Sequence, residues 1–185
     1  MEQPIVRIDF RKTVGKIRKE HLLDENALTK AINKGIRRSL NYMSRYAKKH
    51  HKYKDWLERA VYENTEAPPR KFGNGNGLGL TRAIHFMSEK GKGNKDIHTG
   101  TLYINLKQAP WGKYQYFGTK AHGPSVARAL VFFGRGSGGY PTDDKVVAKR
   151  VRGIEADPFL HNAANYYRKD VSMFIEEAIK EAVNK

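Results

Sequence analysis

Residues that could do chemistry are sparse and dispersed in this 185-residue sequence. Seven histidines form its main stock of metal ligands, and His50-His51 followed by Asp55 is their densest grouping. Adjacent histidines diverge by about 100° on a helix, and no i, i+4 partner completes a zinc-binding face. The pair therefore reads as a solvated, basic helix end. His85, His98, His122 and His161 stand singly, as structural or exposed histidines do. Cysteine is absent, which excludes disulfides, thiolate metal sites and thiol nucleophiles. The glycine runs lack the Lys-Ser/Thr ending of a phosphate loop, and Gly136-Ser137-Gly138 lacks the spacing of a nucleophile elbow. Between residues 67 and 142 the only acids are Glu89 and Asp96, too few for paired-carboxylate or two-metal chemistry. The sequence thus reads as a non-enzyme with no catalytic residue, metal or cofactor, and a phosphodiester-cleaving centre at His51 and Asp55 is only a remote option.

Binding chemistry has better material. Arg70, Lys71, Lys90, Lys92, Lys95 and Arg135 sit in glycine-rich stretches, with Phe72, Trp111, Tyr114 and Tyr116 interleaved. Such loops can contact phosphates and stack on bases without reading sequence. No helix-turn-helix, zinc-finger or aromatic-sheet signature accompanies them. Nonspecific nucleic-acid binding through these loops is therefore one functional reading, and attachment to an acidic protein neighbour is another.

The formal net charge of +16 is unevenly placed. Residues 1–66 carry 16 basic and 9 acidic side chains, residues 67–142 carry 11 and 2, and residues 143–185 carry 8 and 8. Fourteen of the 17 glycines lie between Gly73 and Gly139, which predicts flexible basic loops at about 66–79, 88–99 and 134–144. With 39% hydrophobic and 11% aromatic residues, the composition is that of a globular chain, and its length suits a single domain over 1–185. No stretch approaches the roughly 20 apolar residues of a membrane span, and Met1 to Arg18 builds no secretory core, so a soluble, unprocessed chain is expected.

Periodicity supplies the elements that must position these groups. Pro4 to Phe10 alternates as a half-buried strand does. From an N-cap at Asp24, the apolar or small residues Leu28, Ala31, Ile32, Gly35, Ile36, Ser39, Leu40, Met43, Tyr46 and Ala47 recur at helical spacing. The opposite face of that helix is basic. Short strands are predicted at Leu57–Tyr62, Leu80–Met87, Thr101–Leu106, Ala129–Phe133 and Lys145–Val151, while Trp111–Phe117 fits a short helix or a strand. Asp157-Pro158 then caps and opens a terminal helix of about 26 residues, roughly 40 Å long. Part of its apolar stripe is expected to reach a neighbouring subunit. The fold class is α+β: a short, mostly antiparallel sheet packed against an N-terminal amphipathic helix and a long C-terminal helix, with long Gly-rich loops.

Three segments occur in a telling order: His51-Lys52-Tyr53-Lys54-Asp55-Trp56-Leu57-Glu58-Arg59-Ala60-Val61, then Ala109-Pro110-Trp111-Gly112-Lys113-Tyr114-Gln115-Tyr116-Phe117-Gly118-Thr119, then Gly153-Ile154-Glu155-Ala156-Asp157-Pro158-Phe159-Leu160. In this the chain resembles the tail-completion, or head-tail joining, proteins of the neck and minor tail of long-tailed bacteriophages and prophages. The likeness spans about residues 25–184. Trp56 stands where that family has glycine, Trp111-Gly112 where it has Tyr-Ala, and Tyr116 where it has an acid before Phe117-Gly118-Thr119. The resemblance implies a structural virion protein, assembled in the host cytoplasm as a homo-oligomeric ring, as a rule a hexamer. Such a ring joins a head-side connector or adaptor to the tail tube or tail terminator, with genomic DNA in its channel and no membrane. It further implies interface roles for Phe117, Gly118, Thr119, Asp157, Pro158, Phe159 and Leu160, Pro158 also starting the terminal helix and Phe159 and Leu160 anchoring it; the length of that helix's apolar stripe separately places at least one of Phe174 and Ile175 at a subunit contact.

Overall fold

The computed structural model describes residues 3–20, 24–52, 80–91, 95–110, 112–121, 130–135, 141–148 and 153–184. The predicted strand at 57–62 and the glycine runs at 66–79 and 136–140 lie outside these residues. Two compact units emerge, one formed by Met1–His50, Ile84–Ile104 and Phe159–Lys185, the other by His51–Ala83 and Asn105–Pro158.

The first unit has two layers. Strand β1 (Ile5–Asp9) is followed by helices α1 (Arg11–Glu20) and α2 (Glu25–His50). Strands β2 (Ile84–Lys90) and β3 (Ile97–Ile104) form an antiparallel hairpin, and β1 joins it on the other side of β3, giving the order β1-β3-β2. The register pairs Ile5 with Tyr103 and Asp9 with Thr99. Val6 and Ile8 face inward and Ile5, Arg7 and Asp9 outward, as the period-two pattern requires.

Helix α2 carries the core. Asp24 Oδ2 accepts the N–H groups of Asn26 and Ala27 at 3.0 Å each, satisfying two of the first-turn donors. One stripe then buries Leu28, Ile32, Ile36, Leu40 and Met43 completely or nearly so. Each such side chain contributes roughly 1.5–3 kcal/mol of burial. Against this stripe pack β2, β3 and the C-terminal helices α5 and α6, whose ranges follow below.

The terminal helical segment is present, yet it is not one straight rod. Helix α5 (Phe159–Tyr167) and helix α6 (Val171–Val183) are separated by a 3₁₀ turn at Arg168–Asp170. The turn preserves the apolar stripe, so Val171, Phe174, Ile175, Ala178 and Ile179 still face α2. Gly35 of α2 lets the two helices touch at backbone level, since a Cβ there would stand 2.5 Å from Ile175 Cα and 2.7 Å from Phe174 O.

Other elements depart from expectation. Helix α1 was not foreseen; it docks through Val14 and Ile17, and Arg18 Nε and Nη2 grip the buried Asp96 carboxylate at 2.6 and 2.8 Å. The expected loop at 88–99 is shorter at both ends, where residues 88–90 belong to β2 and residues 97–99 to β3. Residues 95–97 are anchored by Asp96 and by Asn33, which accepts the Ile97 N–H through Oδ1 at 2.7 Å and donates to Lys95 O at 2.9 Å.

The second unit holds a one-turn helix α3 (Leu80–Ala83), helix α4 (Gly112–Phe117), and the antiparallel pair β4 (Leu130–Arg135) and β5 (Pro141–Ala148). The start of the strand predicted at 80–87 is thus helical, and the strand predicted at 145–151 lies earlier in the chain. The chain as a whole is α+β.

Candidate functional site

The second unit brings together three stretches that are far apart in sequence. Helix α4 ends at Phe117 and the chain turns at Gly118, whose φ of 75° lies in the left-handed region that favours glycine. Thr119 then exchanges two hydrogen bonds with one residue: its N–H donates to Ile154 O at 2.8 Å, and its Oγ1 accepts the Ile154 N–H at 3.0 Å. Asp157 N–H donates to Gln115 O at 3.1 Å, closing the other end of the contact. A Cβ on Gly118 would stand 2.8 Å from both Ala156 N and Ile154 O, and one on Gly153 would collide with Thr119 O. Both glycines are therefore required by close backbone approach. Asp157 Oδ2 accepts the Lys52 N–H at 2.7 Å, so residues 51–52, 115–119 and 153–157 form one clasp. Lys52 also pairs with Glu155 at 3.4 Å, an exposed contact of little energetic weight.

The clasp presents apolar surface. Phe117 is 47% exposed and meets the buried Tyr116 edge-on, with ring centroids 5.0 Å apart. Tyr114 and Ile154 are also exposed, while Asp157 is buried. Of the residues expected at an interface, Phe117, Gly118, Thr119, Asp157 and Pro158 lie in or beside this clasp, and Phe117 and Pro158 offer surface. Phe159, Leu160, Phe174 and Ile175 do not; at 2%, 0%, 6% and 0% exposure they are core residues, consumed by packing within their own chain. The N–H that Asp157 accepts through its carboxylate belongs to Lys52, a link between chain segments that the expected capping role did not include.

The basic loop residues are only partly placed. Arg70, Lys71 and Lys92 lie outside the described residues, and Arg135 ends β4. Lys90 and Lys95 are exposed at the two sides of the β2–β3 connection. His50 and His51 part company: His50 is exposed and stacks on Tyr46 at 4.1 Å, whereas His51 is buried, with Nε2 2.9 Å from Thr81 Oγ1. His51 is thus no part of a solvated helix end. Asp55 lies outside the described residues. Among the described residues no three His, Asp or Glu side chains converge as metal ligands, and no helix is long and apolar enough to cross a membrane.

One surface escaped the sequence reading. On the first unit, Tyr46 stacks on His50 and on Tyr166 of α5, whose ring centroid lies 4.5 Å away at 20°. Tyr42, one turn earlier, stacks on Phe174 at 5.0 Å and approaches Tyr167 at 6.0 Å. Tyr166 is 59% exposed and Tyr42 40%. Burial raises the pKa of the Tyr167 hydroxyl above its ordinary value, and the neighbouring Tyr166 and Asp170 add to the effect. Elsewhere on α2, Lys48 is pushed below the ordinary lysine range, first by lost hydration and then by the charge of Arg45. The spacing of Tyr42, Tyr46 and His50 at i, i+4 and i+8 was legible, but their partners on α5 were not.

No protein-family model, curated protein or solved structure matches the chain.

Proposed function

We propose that the protein is a structural component of a bacteriophage neck or upper tail, a ring-forming tail-completion protein that joins the head-side connector to the tail. The observation that supports this reading is the clasp. The three segments on which the resemblance rests are separated by dozens of residues, and they come together through Thr119, Ile154, Gln115, Asp157 and Lys52.

In this reading the clasp fixes the direction of the exposed Phe117 and Tyr114, which with Ile154 form an apolar anchor for the adjoining protomer. The test is the mass of the native assembly. A closed ring near six times the 21.1 kDa protomer is expected, and Phe117→Ser should dissociate it while leaving the melting temperature nearly unchanged. A protein that stays monomeric at micromolar concentration, alone and with purified connector, refutes the reading.

A further inference from the structure

The C-terminal half of α2 carries a charge arrangement that packing does not explain. Arg37, Asn41 and Arg45 follow one another at four-residue steps, all exposed, and Lys48 and Lys49 continue the strip. Arg168 and Lys169, both exposed, follow Tyr167 directly. Two cations interleaved with these, Lys34 and Arg38, have partners from α6. Lys34 pairs with Glu181 at 2.6 Å, and Arg38 with Glu181 and Glu177 at 3.0 and 3.6 Å. Among the described residues Arg37, Arg45, Lys48, Lys49, Arg168 and Lys169 have no such ion pair. Lost hydration, and then the like charge of Arg45, disfavour the charged form of Lys48, a cost that a bound anion would relieve.

We propose that this face, the Arg37–Asn41–Arg45–Lys49 strip bordered by the Tyr46–Tyr166 stack, binds the phosphate backbone of duplex DNA without reading its sequence. The side-chain types are those that contact phosphates, namely Arg, Lys, Asn and tyrosine hydroxyls. From Arg37 to Lys49 the strip runs about 18 Å along the helix, roughly five base steps of duplex. Tyr46 already stacks against His50 and Tyr166, so the ring is engaged within its own chain, unlike the open platforms on which single-strand binders stack bases. An acidic protein partner fits less well, since lysine is depleted in protein interfaces and here supplies half of the six cations. The inference is independent of the ring reading, because it is read on the free chain at concentrations where its mass is also measured.

The experiment is fluorescence anisotropy with a labelled 25-base-pair duplex of mixed sequence, titrated with the full chain at 50 and 200 mM NaCl. Two charge-matched double variants are compared, Arg45→Gln with Lys49→Gln on the strip and Lys34→Gln with Arg38→Gln on the neutralised side, each checked by circular dichroism for folding. Removing two phosphate contacts lowers the salt slope by about 1.8, so the fourfold rise in salt should weaken the strip variant about tenfold less than the wild type. The Lys34/Arg38 variant should retain the wild-type slope. Equal losses in both variants would reduce the effect to net charge and overturn the proposal. It is equally overturned if the wild type does not bind the duplex at 50 mM salt, if a single strand of the same length binds more tightly, or if a poly-glutamate peptide competes as well as duplex of equal charge.

Discussion

Replacing Gly118 by alanine tests the clasp at its tightest turn. The added methyl group faces two penalties. At φ 75° an L-residue costs about 1–2 kcal/mol relative to glycine, partly offset by about 0.4–1 kcal/mol from the stiffer unfolded chain. The new Cβ also stands 2.8 Å from Ala156 N and Ile154 O, roughly 0.6 Å inside ordinary van der Waals contact, and both neighbours are backbone that no rotamer change can move away. The 153–157 segment must therefore retreat. A retreat of that size stretches the Thr119–Ile154 bond from 2.8 Å and the Asp157–Gln115 bond from 3.1 Å to the limit of hydrogen bonding, and each is worth about 0.5–1.5 kcal/mol. The total is about 2–4 kcal/mol, confined to the second unit. Hydrogen exchange should show the Thr119 and Asp157 amides losing protection by about thirtyfold to several hundredfold, while amides near Leu40 and Ile175 in the first unit hold. Unchanged protection at Thr119 would refute the close-approach reasoning. An equal loss throughout α2 and α6 would refute its local character.

Two further outcomes follow from the first unit. Gly35→Ala gains about 1 kcal/mol of helix propensity but drives a methyl group into the Phe174–Ile175 backbone, so a net loss of about 1–3 kcal/mol is expected in urea unfolding, and a stabilised variant would show that α2 and α6 can separate freely. Asp9 is held at a pKa of about 2, chiefly by the side-chain hydrogen bond from Arg11, below its ordinary value of 3.8. Because the folded-state value is the lower one, its stabilisation is complete above about 3.8 and disappears as pH falls through about 2. Asp9→Asn should therefore flatten the acid limb of the stability profile in that window and leave its slope near pH 7 unaltered.

How far the sequence reveals this molecule depends on the range of the interaction concerned. The α2 stripe was legible to within a residue because Asp24, Leu28, Ile32, Ile36 and Leu40 encode cap and period locally. Helix α1 was not, since Arg11–Glu20 buries only Val14 and Ile17 and is otherwise charged, leaving no stripe to detect. The 3₁₀ turn at Arg168–Asp170 was hidden for another reason: it contains neither proline nor glycine, and it keeps the apolar spacing from Tyr167 to Val171 and Phe174. At the clasp, each segment was visible on its own, whereas the pairing of Thr119 with Ile154, and the need for glycine at both 118 and 153, exists only in three dimensions. The length of the terminal stripe suggested that at least one of Phe174 and Ile175 meets a neighbouring subunit, since a helix of about 26 residues is longer than one small domain needs. The break in that helix and the long reach of α2 give them a home within the chain.

The order in which the first unit is threaded sets when it can fold. Its central strand β3 pairs with β1 from near the start of the chain, and its principal helix α2 is covered by α5 and α6 from the far end. The second unit is built from the stretches between. During synthesis α2 therefore emerges with its apolar stripe uncovered; β2 and β3 can cover part of it, but the part that α5 and α6 cover stays open until residue 159 and beyond leave the ribosome. Closure of loops this long is slow compared with hairpin formation, because their entropy must be lost before any distant contact compensates it. The nascent chain thus passes through a lengthy interval with a basic, amphipathic helix exposed, open to chaperones and to premature contacts between neighbouring nascent chains.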